Sequence, residues 1–538
     1  MEHLEMRRKV IIMLSIMSAM LFAALNQTIV GTSLPKIIAD LGGIEYYSWV
    51  FTIFMLTSSI TAILVGKLSD IYGRKPFILL GIGVFTAGSL LCGISGSILE
   101  LILYRGVQGF GGGMIMSTAF TAVGDLFPPR ERGRWQGIMS SVFGLASVFG
   151  PTLGGYIVDH FHWHWVFWIF LPFGLVAFAA IYFLFPSVQR KEKESIDYTG
   201  SLLLTLTMVP LLLSFTWAGN EYDWVSPEII GLFTVTIVAF FLFVLTEKRV
   251  SSPVLPLDMF KNKVFTVSNI IGFFLGAGMF GSIMYMPFFI QGVMGTSATK
   301  SGFVMMPLTL AMVAGSTISG QIITKTGKYK KLAMLGLFIM VSGMTSMHFM
   351  DTQTTNTTAI MNMILVGSGL GIAFPIFTLT VQNAIEHKYL GVATSSVQLF
   401  RQLGGTIGVS IMGSVMNNSL ADHFNKESQK LVASSPSVTP EMSEQIKELA
   451  NPQVLLNQEA VLEKFNALPP ESLNMIKQVL GILRESLSYA LNGVFLTGAI
   501  VIGTAFILTF FFLREIPLRT SNEEKNASSE QAEERKLG

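Results

Sequence analysis

Apolar residues run along this chain in long blocks, each closed off by charged residues, proline or glycine. A helix that crosses the hydrocarbon core of a bilayer needs about 20 mostly apolar residues. Fourteen blocks meet that length, at about 10–33, 48–68, 77–95, 99–124, 134–159, 165–187, 198–218, 228–246, 264–292, 300–323, 332–350, 358–384, 391–417 and 489–513. The pattern predicts an all-α fold, a polytopic membrane protein with fourteen transmembrane helices. Arg7, Arg8 and Lys9 precede the first block as they would a signal peptide, but the block is too long for a signal h-region and lacks a small-residue cleavage site. A retained first helix is expected.

Lysine and arginine test the topology independently, because cytoplasmic loops hold the excess. With the N-terminus inside, most of the 36 fall in inner loops, as do Arg130, Arg132 and Arg134 or Lys325, Lys328, Lys330 and Lys331. Arg105 and Arg401 stay within membrane blocks. An even number of crossings puts both termini in the cytoplasm.

A repeat sets the domain order. Gly66-Lys-Leu-Ser-Asp70-Ile-Tyr-Gly73-Arg74-Lys75-Pro76 follows the second block, and Gly320-Gln-Ile-Ile-Thr324-Lys-Thr-Gly327-Lys328-Tyr-Lys330 follows the tenth with its glycines at the same spacing. Duplicated six-helix halves around a membrane-normal axis are a transporter architecture, with the binding site near the midplane between them. The expected order is an N-terminal six-helix bundle (1–190), an inserted helix pair (191–250), five helices of a C-terminal bundle (251–417), an extracytoplasmic loop (418–488), the last membrane helix (489–514) and a disordered cytoplasmic tail (515–538). Pro436, Pro440, Pro452, Pro469 and Pro470 punctuate the long loop, which reads as a helical cap or an insertion.

Composition narrows the function. Hydrophobic residues make up 51% and charged residues 13%, against roughly 25% charged in a soluble domain, so a water-soluble globule is excluded. With 42 Phe and 29 Met, so is a solvated disordered chain. A net charge of +2 and no basic run with interleaved aromatics argue against a nucleic-acid partner. Cys92 is the only cysteine, so there is no internal disulfide and no cysteine metal cluster. Neither a Walker A sequence, HExxH, GxSxG nor CxxC occurs, so an ATP motor and these enzyme classes have no support, and no cofactor or metal is expected. His160, His162 and His164 alternate as metal ligands can, but Trp163, Trp165 and Trp168 beside them favour an interfacial aromatic belt.

Three constellations carry candidate chemistry. In the loop from Gly66 to Pro76, Asp70 can cap a helix and Arg74 and Lys75 supply cations, which suits a conformational latch formed with Arg130. Arg105, with Gln108 three residues on and so on the same helix face, is costly inside a membrane and points to a cavity. Gly150-Pro151-Thr-Leu-Gly154-Gly155 combines a small-xxx-small ridge with a helix-bending proline, a candidate hinge. Met and Phe residues of the ninth block, such as Met279, Phe280 and Met284, and Phe374 with Pro375 in the twelfth, suit an adaptable apolar cavity.

These residues carry a family resemblance. Gly66 to Pro76 resembles the loop 2–3 signature of the major facilitator superfamily, the Arg105 segment its helix 4 signature, and Gly150 to Gly155 its helix 5 antiporter signature. Leu25 to Val30 through Pro35, Gly124 to Gly133 and Arg401 to Gly405 resemble segments of its fourteen-helix drug:proton antiporter branch. The resemblance implies export of small amphipathic compounds in exchange for protons by alternating access, in a bacterial cell membrane, by a monomer. The proton gradient would be its energy source.

Three positions depart from the pattern: Asn26 stands where the family usually has an acid, and His164 and Phe170 where it more often has Arg and Asn. With Asn26 unable to titrate, Asp125 and Glu386 are the candidates for proton coupling, and salt bridges to Arg130, Arg134 or Lys388 are the competing reading. A selective exporter of a metabolite, lipid or signalling molecule shares every motif. A membrane sensor or assembly subunit that uses the 418–488 loop would move no protons.

Overall fold

The structure, a computed structural model, describes residues 5–41, 47–186, 197–219, 222–250, 253–296, 298–434 and 470–518. Its helices are α1 Met6–Leu41, α2 Tyr47–Tyr72, α3 Arg74–Gly93, α4 Ile98–Leu126, α5 Pro129–His160, a short α6 Trp165–Trp168, α7 Leu171–Leu184, α8 Tyr198–Trp217, α9 Pro227–Glu247, α10 Lys263–Phe288, α11 Ala298–Thr326, α12 Lys330–His348, α13 Asn356–Ala384, α14 Leu390–Ser434 and α15 Pro470–Phe512. A single isolated bridge, Ala218 to Tyr222, is the only β pairing among the described residues.

Eleven segments among the described residues are long and apolar enough to cross a membrane. The protein is therefore an integral, multi-pass membrane protein. The three expected crossings that fall short of that composition, α4, α5 and α14, are long helices all the same. Each carries buried polar or charged residues that lower its mean hydropathy. Arg105, Gln108 and Asp125 on α4, Arg132 and Gln136 on α5, and Thr394, Ser395 and Arg401 on α14 are all buried. Their polar faces meet protein rather than lipid, as intramembrane polar groups must.

Helix packing repeats. α1 packs on α5, α2 and α3 pack on α4, and α7 packs on α1 and α3; likewise α10 packs on α14, α11 and α12 on α13, and α15 on α10 and α12. The two sets meet chiefly through α2 against α14 and α5 against α11, pairs that exchange places under that correspondence. α8 and α9 pack on each other, and α8 also touches α2 and α14. α9 is the least buried of the eleven spans.

The expected 418–488 loop needs correction at both ends. α14 continues to Ser434 and α15 already begins at Pro470. Leu420 and Phe424 on one extension, and Val479, Leu480, Leu483 and Leu487 on the other, are buried in one apolar cluster. His423 stacks on Tyr489 at 4.8 Å. Apolar positions at helical spacing carry both helices past the membrane block. Residues 435–469 lie outside the described residues. The start of the tail is also packed: Leu518 is buried, and the rest lies outside the described residues.

Candidate functional site

Gly73 has φ 88°, a left-handed conformation that a side chain would strain, and it turns the chain from α2 into α3. Arg74 thereby opens α3 while facing back under α2. Its Nε donates to Asp125 Oδ2 at 3.0 Å, its Nη1 to Ser69 Oγ at 2.6 Å, and its Nη2 to Asp70 Oδ1. The guanidinium is buried and meets two carboxylates from different helices.

Asp70 reaches further, into the opposite set. It accepts the Gly391 N–H on Oδ1 at 3.0 Å and the Val392 N–H on Oδ2 at 3.1 Å. These are first-turn amides of α14, whose partial positive charge favours a carboxylate. The approach needs glycine on both sides. A Cβ on Gly66 would lie 2.0 Å from Ser395 Oγ, and one on Gly391 2.3 Å from the Gly66 carbonyl oxygen. Ser395 Oγ also donates to Ala62 O at 3.0 Å and lies 3.0 Å from Ser117 Oγ.

The partner crossing, α5 against α11, uses shape and neutral groups. A Cβ on Gly320 would fall 2.7 Å from Arg134 Cα. Ser316 Oγ donates to Gly137 O at 3.2 Å, and beside this crossing Gln136 Nε2 donates to Gln382 Oε1 of α13 at 3.0 Å. Hydrogen bonds between the sets thus gather toward the end bearing the basic loops. Beyond Ala146, α5 turns its attention to its own set: Thr28 Oγ1 donates to Ala146 O at 2.9 Å and Ser33 Oγ to Gly154 O at 3.4 Å.

Arg105 sits in a second, separate network and is fully buried. Its Nη1 donates to Gln108 Oε1 at 2.6 Å and Asn26 Oδ1 at 3.3 Å, and its Nε to Val50 O at 3.3 Å. Gln108 Nε2 donates to Asn26 Oδ1 at 3.0 Å and Ser89 Oγ at 2.6 Å. Phe54 lies under the guanidinium, 4.4 Å from its ring centroid. Arg105 Nη2 and Asn26 Nδ2 have no hydrogen-bond partner among the described residues. Asn26, singled out separately, thus joins Arg105 and Gln108 in one cluster, held by amides and carbonyls.

Other expected residues fall elsewhere. Gly150 lies against Thr28, where a Cβ would come within 2.0 Å of its Oγ1, while Gly155 has open space around it. α5 runs unbroken through this segment. The side chains of Arg130 and Pro151 lie outside the described residues. Arg132, not its neighbour, is the buried arginine of that turn, donating to Gly124 O at 2.8 Å and Phe127 O at 3.0 Å at the end of α4. Asp125 joins Arg74 rather than Lys388, which pairs with exposed Glu386 at 3.3 Å. Among the described residues no cluster of metal-ligating side chains occurs. His164 stacks on Trp163 at 3.9 Å, and partial burial, reinforced by His162, holds its imidazole below the usual range.

Sequence reasoning missed the far partners: Gly391 and Val392, the Gln136–Gln382 bridge, and Phe374 beneath Arg401. Each is joined to its counterpart only by the tertiary fold, so no local spacing announces it.

Comparison with known proteins agrees with this geometry. The chain is 36% identical to the multidrug transporter protein MdtP of Bacillus subtilis (strain 168), over 98% of this chain and 96% of that one. It is also 36% identical to multidrug resistance protein 3 of the same organism, over 77% of this chain and 81% of that one. Among solved structures, the proton:xylose symporter XylE shares the fold at TM-score 0.59 and 12% identity, covering 97% of this chain and 99% of that one. The family profile described as Major Facilitator Superfamily matches residues 16–409. With two helix sets crossing at α2–α14 and α5–α11, and no enzyme among these relatives, the chain belongs to the Major Facilitator Superfamily of membrane transporters.

Proposed function

We propose that this protein is a secondary active exporter that expels small amphipathic compounds in exchange for protons, by alternating access. Two of its relatives are named for multidrug transport or resistance, which supports efflux. The proposed topology has fourteen crossings: two six-helix halves and the inserted pair α8–α9, with the basic loops and both termini in the cytoplasm of a bacterial cell. The repeated packing of the helix sets supports the two halves. The protein acts as a monomer and needs no cofactor beyond the gradient.

One observation carries the mechanism: Asp70 ties Arg74 and, through it, Asp125 to the first turn of α14 in the opposite half. Closed, this contact shuts the cytoplasmic side. Opening separates Asp70 from the α14 amides and exposes the carboxylates to water, so their affinity for protons differs between the two states. A proton that binds preferentially to one state makes the swing directional. α5, packed on α1 at Gly150 and on α11 at Gly137, carries the relative motion as a hinge. The Arg105–Gln108–Asn26 cluster lines the cargo and proton path.

The test uses proteoliposomes holding a pH-sensitive dye, with a panel of drugs added to the parent, Asp125→Asn, Arg105→Ala and Asn26→Asp. Cargo-dependent proton movement is expected in the parent and its loss in Asp125→Asn, while Asn26→Asp gains cationic cargo. Proton movement unchanged in Asp125→Asn removes that residue from coupling. None in the parent with any cargo contradicts antiport.

A further inference from the structure

Arg401 lies eleven residues into α14, about 16 Å from its start and so near the middle of a hydrocarbon core about 30 Å thick. It is only 7% exposed. Its Nη2 donates to Thr378 Oγ1 at 3.2 Å and, at 3.5 Å, to Phe374 O, and its guanidinium carbon lies 3.5 Å from the Phe374 ring centroid. Its Nε has no hydrogen-bond partner among the described residues.

Among the described residues no acid pairs with it. The sequence has no Asp or Glu between Asp258 and Asp351, between Asp351 and Glu386, or between Glu386 and Asp422. α10, α11, α12, α13 and the membrane part of α14 therefore contain none. On the other side, Arg105 is met by Asn26 and Gln108 in place of a carboxylate. A buried charge left without a counter-charge is strongly disfavoured. Such a group persists where a partner arrives with a ligand.

The position suits a ligand. On α14, Ser395 faces the opposite half, touching Ala62 and Ser117. Gln398 and Gln402 follow at i+3 and i+7 on that face and are only half-buried, so the face opens as it leaves the closed end. Arg401 borders this stripe, and Gln398 Nε2 beside it is buried without a partner among the described residues.

We infer that Arg401, backed by Phe374 and flanked by Gln398, binds the anionic head group of an amphipathic cargo. This deepens the exporter reading and rests on it. The cation, the ring and the free amide donor complement a carboxylate or sulfonate, while the cargo's apolar body lies among the Met and Phe side chains of α10. Thr378 and the carbonyl of Phe374 hold the guanidinium in place between cargo molecules.

The full chain in nanodiscs, referenced to empty nanodiscs, is titrated with dansyl-undecanoic acid and with its primary amide. The acid is expected to bind about tenfold tighter, the worth of one charge-assisted hydrogen bond. Arg401→Gln should erase that preference and leave amide affinity unchanged, which also certifies the fold; Arg401→Lys should keep part of it. Equal affinities in the parent, or a preference surviving in Arg401→Gln, overturn the proposal. So does loss of both probes in both variants, which assigns Arg401 to packing. Displacement of the acid probe by millimolar sulfate as readily as by undecanoate assigns the site to inorganic anions and overturns the amphipath. An intact acid preference without cargo-linked proton movement sinks the antiport reading alone.

Discussion

The turn after α2 and the turn after α11 share a backbone: Gly73 at φ 88° and Gly327 at φ 69° both adopt the left-handed conformation. Each also lays a glycine, Gly66 or Gly320, against a helix of the opposite set. Their chemistry differs. In the first, Asp70 reaches across to the α14 amides. In the second, Thr324 occupies that place and its Oγ1 donates to Gly320 O in its own helix at 2.8 Å. The second turn does have an acid, but it comes from beyond α15: Glu515 accepts the N–H groups of Tyr329 at 2.8 Å and Lys330 at 3.3 Å, capping α12 within its own set. One carboxylate ties two sets together and the other tidies one set. A crossing held by charge can be released by a proton; one held by shape cannot.

That contrast orders the expected effects of substitution. Asp70→Asn strikes hardest, because removing one partner of a buried ion pair costs about 3–5 kcal/mol. Transport in vesicles should fall at least tenfold while the protein still inserts and purifies. Gly66→Val comes next. Its side chain would collide with Ser395, and it should hold the halves apart and block transport. Gly320→Val meets backbone atoms of Gly133 and Arg134 and should block it comparably; if it alone is silent, the second crossing does not close during the cycle.

Smaller effects belong to the second turn. Glu515→Gln removes a helix-capping charge worth about 0.3–1 kcal/mol. It should lower the melting temperature slightly and leave transport unchanged, and a large transport defect would erase the contrast between the two acids. Tyr329→Phe removes a hydroxyl that donates to Arg514 O at 3.2 Å and accepts the Ile516 N–H at 2.8 Å, a loss of about 1 kcal/mol. Burial, with Glu515 adding to it, holds the Tyr329 phenol above the ordinary tyrosine range. Folding therefore favours its neutral form. That contribution is complete below the unfolded pKa of about 10 and is lost as pH rises through the folded value. Thermal melts between neutral and alkaline pH should show the decline in the parent and a weaker one in Tyr329→Phe.

Legibility in the sequence followed distance along the chain. The apolar blocks placed the helices, since membrane solvation acts on each segment separately. Asp70 and Arg74 stand one helical turn apart, and their pairing was readable from the loop alone. What Asp70 reaches, at Gly391, depends on α2 and α14 being brought together by the whole fold. Arg105 and Gln108 were readable as one face, whereas Asn26 became their partner only when α1 packed beside α4. The ends of α14 and α15 fall inside the proline-punctuated stretch that reads as a helical cap or an insertion. The extensions instead bury an apolar stripe on each other while presenting polar residues outward.

The central claim is that the negative charge of Asp70 holds the basic end shut. Pulsed electron–electron spin resonance between labels at exposed Tyr72 on α2 and exposed Lys331 on α12, in a Cys92→Ser background, measures the separation of the two sets at that end. A single narrow distance in the parent that becomes longer and broader in Asp70→Asn is the predicted result. The same narrow distribution in both proteins would contradict it.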